Sequence, residues 1–133
     1  MQFVLGHDQT VWQWANAFFE SPLKQPDWAI GIVNDQGVLQ GAVIGHESNS
    51  HTVEISICGE RAITPRLVRT FFEGAFQRYW RIEVRTTKDN KSVKRNAPKW
   101  GFKFEGTAKD YWGPGRSALL YRMLKDDCRF LKD

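Results

Sequence analysis

The stretch NKSVKRNAPKWGFKFEG, Asn90 to Gly106, decides the fold. Asn90 is a helix-capping residue type, and Lys91 to Ala97 follows it as a short basic helix. Pro98 disfavours helical geometry at the residue before it, so the helix is expected to stop at Ala97. Gly101-Phe102 then leads into a strand, with Glu105-Gly106 inside it.

Working outward, Phe102 to Tyr111 and Ala118 to Leu124 read as a closing hairpin, and Arg81 to Thr87 alternates as a strand. Upstream, Thr64 and Pro65 supply a cap and a first-turn proline for a helix whose apolar face is Leu67, Val68, Phe71, Phe72, Ala75, Phe76 and Tyr79. Three strands precede it: Trp28 to Val33, Val38 to His46 and Val53 to Cys58, the first two joined by the turn at Asn34-Asp35-Gln36-Gly37. Asp8 is the expected N-cap of a first helix carrying Val11, Trp14, Ala15, Phe18 and Phe19. The order is αβββαβαββ. A strand-helix-strand crossover at its centre predicts parallel pairing between the segments at Val53 and Arg81, inside an otherwise antiparallel sheet.

A chain of 133 residues supports one compact domain, 1–133, and is too short for two ordinary ones. Its 41% hydrophobic and 26% charged residues exclude a disordered chain. No apolar run is long enough to span a bilayer and no leader pattern opens the sequence, so a cytoplasmic location is expected. Two cysteines, Cys58 and Cys128, read as buried thiols rather than a disulfide or zinc pair. His7, His46 and His51 form no metal-ligand pattern.

The net charge of +4 favours anionic partners, and its placement is informative. Helix starts favour acidic side chains, yet Arg61, Arg66 and Arg69 surround the start at Pro65, and Lys88, Lys91, Lys94, Arg95 and Lys99 surround the start at Asn90. A crossover brings both starts to one edge of the sheet, where a phosphate or pyrophosphate could be held by backbone N–H groups and cations. A solvated basic face is the alternative.

Asn90, Gly101-Phe102, Glu105-Gly106 and the later Tyr121-Arg122-Met123-Leu124 together resemble the GNAT superfamily of N-acetyltransferases, most of all the branch that acetylates ribosomal-protein N-termini. The resemblance implies an α/β fold with a mixed, mostly antiparallel sheet of six to seven strands, a central parallel pair and helices on both faces. It also implies acetyl-CoA as cofactor and an amine, a protein N-terminus, lysine or small amine, as acceptor. The family's pantetheine arm bonds to an exposed strand backbone, here Ile55 to Gly59, with Ile57, Cys58 and Gly59 nearest. Phosphate contacts would fall to Arg61, Thr64, Arg66, Asn90, Lys91 and Lys94. The chain departs from the family's glycine-rich phosphate loop: Glu60 to Leu67 holds no glycine, and Pro65 lacks an N–H.

By the same resemblance Glu54 is the candidate base, with a structural ion pair to Arg85 as the alternative. The tyrosine that often serves as acid seven residues after the asparagine is replaced by Ala97. Asn90 is either a cap or a pantetheine ligand. Six tryptophans cannot all be fully buried, and Trp28, Tyr111 and Trp112 are the candidate acceptor contacts. The tip from Tyr111 to Arg116 grips a peptide, meets a second subunit in a homodimer, or packs on its own aromatics. Two other function classes compete: an acyl-CoA-binding domain that acts through a protein partner, and a nucleic-acid-binding protein, ranked last because the cations cluster at helix starts.

Overall fold

The computed structural model describes residues 1–19, 22–59 and 64–131. Its order is β1 (Gln2–Val4), α1 (Asp8–Ala15), β2 (Trp28–Val33), β3 (Leu39–Asn49), β4 (Thr52–Gly59), α2 (Pro65–Arg78), β5 (Arg81–Thr86), α3 (Lys91–Trp100), β6 (Lys103–Ala108) and β7 (Ala118–Leu124). The seven strands form one sheet in the order β1-β2-β3-β4-β5-β7-β6. All neighbours pair antiparallel except β4 and β5, the central parallel pair expected from the crossover.

Side-chain alternation along the strands separates two apolar layers. On one face Val11 and Ala15 of α1 pack on Ala29, Ala42 and Ile44. The other face carries α2 and α3 over Val43, Val53, Ile55, Ile82, Tyr121 and Met123. Phe72, 1% exposed, is central there, ringed by Phe71, Phe76, Trp100, Phe102 and Phe130 at centroid distances of 5.2 to 6.2 Å. Truncating such a ring to alanine costs about 3–5 kcal/mol, so Phe72→Ala should strongly destabilise this layer.

The caps read from the sequence form. Thr64 Oγ1 accepts from the Leu67 N–H at 3.3 Å, and Asn90 Oδ1 accepts from the Val93 N–H at 3.1 Å. Three expectations are corrected. The helix at Asn90 runs through Pro98 to Trp100 rather than stopping at Ala97, and Ala97 is a buried helical residue. The Pro98 ring forfeits one bond near the C-terminus, where Gly101 at φ +115° closes the helix: Gly101 N–H donates to Pro98 O and Phe102 N–H to Ala97 O. Asp8 is the first helical residue of α1 and its Oδ2 accepts instead from the Ala29 N–H at 3.0 Å, fastening the helix to β2. Phe18 and Phe19 leave the helical face through a turn of 3-10 helix. Two features go beyond the sequence reading: Gln2–Val4 is a strand, with Phe3 in register with Ile32, and β3 runs three residues past His46 to Asn49.

Candidate functional site

β4 and β5 pair over only three positions, Thr52 with Arg81, Val53 with Ile82 and Glu54 with Glu83. Beyond Glu54 they part: β4 stays with β3 as far as Gly59, while β5 follows β7 as far as Thr86. On the side facing β5, the backbone of Ile55 to Gly59 therefore has no ladder partner. In an antiparallel pairing alternate residues turn both N–H and C=O away from the partner, so these groups line the gap as an open strand edge. An extended chain of amides can add to such an edge as a further strand.

Each wall of the gap has its own chemistry. Towards α2, Ile57 is 38% exposed and joins Leu67, Val68, Phe71, Phe72 and Trp100 around a void of about 10 Å³, no more than one water's worth. Towards α1, Cys58 is partly buried against the small apolar layer, and that burial pushes its thiol up to about 11, so it is neither thiolate nor nucleophile near neutrality. A larger hollow of about 200 Å³ lies away from the gap, between the end of α3 and Lys103, Asp127 and Arg129. Its Lys103 is already paired with Asp127 at 3.2 Å.

Both helix starts lie beyond the C-terminal ends of the parting strands. Their amides are largely committed. Pro65 has no N–H, Leu67 N–H is capped, and Val68 N–H bonds Thr64 O, which leaves Arg66 N–H as the free amide of the first turn of α2 among the described residues. At α3, Lys91 N–H bonds Asp89 O, Val93 N–H bonds Asn90 Oδ1 and Lys94 N–H bonds Asn90 O. Among the described residues, an anion held here would meet side chains more than free amides. Arg66, Lys91 and Lys94 are exposed, Lys94 Nζ donates to Lys88 O at 3.2 Å, and Arg61 lies outside the described residues. Residues 88–103 hold six Lys or Arg against one Asp, a net of +5, so the rest of the chain carries −1 of the total of +4. The basic excess of the molecule is this one segment.

On the α1 side, Glu54 Oε1 accepts from Arg85 Nη1 at 2.9 Å, so the ion pair foreseen as its alternative role exists. The pair opens a ladder across four strands. Arg85 reaches Glu83 at 3.5 Å, Glu83 pairs with Arg81 at 2.7 Å, Arg81 and Arg122 share Glu105, and Arg122 and Lys103 share Asp127 at 3.2 Å each. The Arg81 hydrogen bond holds the Glu105 carboxyl below the usual range. Burial works to raise the Asp127 carboxyl, but the Leu124 N–H, Lys103 and Arg122 outweigh it and hold it low. Sequence reading named only the Glu54–Arg85 step. The signal for the rest was the alternation of Arg81, Glu83 and Arg85 with Ile82 and Val84, which puts charge on one face of a strand.

Tyr111 closes this corner. The Arg85 guanidinium lies 5.5 Å from its ring centre, and Trp112 meets the same ring edge-on at 5.3 Å. The tip is self-bonded: Asp110 Oδ1 accepts from Gly115 N–H at 2.9 Å, Asp110 N–H donates to Ser117 Oγ at 3.0 Å, and Trp112 N–H donates to Arg116 O at 3.0 Å. Trp28 is elsewhere. It packs on the α2 side against Phe71, and its Nε1 donates to Tyr79 Oη at 2.7 Å. Tyr79 in turn donates to Glu47 Oε2 at 2.7 Å, and burial followed by that bond raises its hydroxyl to about 12. This tyrosine, which sequence reading treated only as a core residue, is thus committed to structure rather than proton transfer. Among the described residues, no group of three His, Cys, Asp or Glu is placed to hold a metal ion, and no helix is long and apolar enough to cross a membrane.

No family model and no curated protein sequence matches this chain. Solved structures do. Ard1 from Thermoplasma volcanium superposes with a TM-score of 0.74 at 12% identity, over 92% of this chain and 96% of that one. A GCN5-related N-acetyltransferase from Brucella melitensis gives 0.65 at 19% identity, over 78% of this chain and 53% of its own. The ribosomal-protein-S5-alanine acetyltransferase from Vibrio fischeri gives 0.63 at 20%, over 77% and 63%. The chain thus spans about half the length of the Brucella protein. The fold is that of the GNAT N-acetyltransferases.

Proposed function

We propose that this protein is an acetyl-CoA-dependent N-acetyltransferase whose acceptor is an amine: a protein N-terminus, a lysine or a small amine. The observation that carries the reading is the parting of β4 and β5 after Glu54, which leaves the Ile55 to Gly59 edge open at the centre of a GNAT sheet.

When bound, acetyl-CoA supplies an activated acyl group and a thiolate that leaves readily. The backbone of Ile55 to Gly59 binds its amide-bearing arm as an added strand, and one N–H of that edge is the hydrogen-bond donor for a developing oxyanion. Ile57 offers an apolar wall. Arg61, Thr64, Arg66, Asn90, Lys91 and Lys94 are the residues proposed for the phosphate end, with cationic side chains in place of the glycine-rich loop. Glu54 takes the proton of the acceptor ammonium, and Tyr111 and Trp112 flank the amine's approach. Trp28 stays with the core.

Ala97 favours a second reading, a domain that binds acyl-CoA but transfers slowly or not at all and acts through a partner. It is 5% exposed and carries no proton donor where relatives often place a tyrosine, so protonation of the leaving thiolate is left to water. Calorimetry with acetyl-CoA, followed by turnover on a panel of peptides and small amines, separates the readings. Binding with transfer supports the first and binding without transfer the second. No binding at millimolar cofactor refutes both.

A further inference from the structure

We infer that Arg85 sets the charge of the acceptor: its guanidinium fills the cation-binding corner formed by Glu54, Glu83 and Tyr111 beside the gap, and so excludes polycationic amines. Two carboxylates and an aromatic face are the groups that hold an ammonium or guanidinium. Here the protein's own side chain takes the place, with Nη1 at 2.9 Å from Glu54 and 3.5 Å from Glu83, and the guanidinium carbon 5.5 Å from the Tyr111 ring centre. Arg85 lies on β5 two residues beyond the last β4 pair, and Glu54 is that last pair's β4 member. The side chain therefore spans the strands just as they part.

The corner is reachable, since the side chains of Arg85 and Glu54 are 23% and 25% exposed. It is also preformed. The bonds within the tip fix Tyr111, and Arg81 at 2.7 Å fixes Glu83, so removing the guanidinium leaves a cavity rather than a collapse. With Arg85 present the carboxylates are balanced, and any positive charge an acceptor carries beyond its reacting amine meets like charge. Without it Glu54 stands unpaired beside an aromatic face, the arrangement that attracts a cation. The role as an acceptor filter rests on the acetyltransferase reading, whereas occupancy of the corner does not.

The test is calorimetric titration of spermidine, without cofactor, into the wild-type chain, Arg85→Ala and Arg85→Gln, with circular dichroism to confirm folding. Binding weaker than about 10 mM is expected for wild type, and at least tenfold tighter binding, about 1.4 kcal/mol, for the variants. That gain should vanish in Arg85→Ala combined with Glu54→Gln. Equal affinity in wild type and variants, no gain in a folded variant, or a gain that survives the Glu54 change would overturn the assignment. If both single variants fail to fold, ethylguanidinium at millimolar concentration should restore the folding of Arg85→Ala by refilling the corner, and failure to restore it counts against the proposal. Because nothing here depends on acetyl transfer, a chain that binds no acetyl-CoA would refute the enzyme reading and leave this result standing.

Discussion

Replacing Glu54 by glutamine separates the two roles that its geometry allows. The side chain keeps its shape and loses its charge and its capacity to take a proton. As half of an ion pair with Arg85, in which both side chains are about a quarter exposed, Glu54 contributes about 0.5–1 kcal/mol of stability. Arg85 retains Glu83 at 3.5 Å, so no guanidinium is stranded. As a general base, Glu54 would contribute about 10²–10⁴-fold in rate, or about 3–5 kcal/mol of barrier. The magnitudes do not overlap. Urea unfolding followed by tryptophan fluorescence measures the first, and kcat and KM on an acceptor peptide with saturating acetyl-CoA measure the second. The expected result for Glu54→Gln is a stability loss near 1 kcal/mol with kcat down at least about a hundredfold and KM for acetyl-CoA unchanged. A variant that keeps kcat within about threefold of wild type would refute the base assignment and leave Glu54 as a structural partner of Arg85.

Tyr79→Phe removes the hydroxyl between Trp28 and Glu47, one bond of which goes to a charged group, and should cost about 2–3 kcal/mol in urea unfolding; a loss under about 0.5 kcal/mol would contradict the network. Gly101→Ala must adopt φ +115° and drives its new methyl into the Asp127 carbonyl oxygen, so destabilisation of at least about 1–3 kcal/mol is expected, with a near-neutral variant as the refuting result. Glu105 and Asp127 have carboxyl groups held low in the folded state, so their stabilisation is present above the unfolded range near pH 4 and is lost as pH falls below it. Urea midpoints should therefore drop below about pH 4, and Glu105→Gln should flatten that drop; an identical pH profile for the variant would show that the ladder is not the cause.

The enzyme reading rests on a framework in which the strand edge is intact and the surrounding chemistry has changed. Among the described residues the amides of both helix starts are mostly capped, the basic excess lies in one short segment, and Ala97 belongs to the core. On the proposed reading, such a cleft binds an acylated arm through its strand edge while proton transfer depends on Glu54 and water alone. That division is why cofactor binding and turnover must be measured separately.

Local chemistry was readable from the residues. Thr64 with Pro65, and Asn90, open helices because caps act within a turn of chain, and the crossover rule predicts from those helices the parallel β4–β5 pair that forms. Ala97 and Pro98 show the limit of local rules, because tertiary packing of Ala97, Trp100 and Phe102 against Phe72 outweighs the one bond that proline forfeits. β1 is too short to show a period and exists through a partner about thirty residues away. Only the tertiary structure decided where β4 leaves β5, that Trp28 faces away from Tyr111, and that Arg85 lies between Glu54 and the Tyr111 ring. Each depends on strand register and on which sheet face a side chain meets, and long-range packing settles both, because a strand's own sequence leaves its partner and its register open.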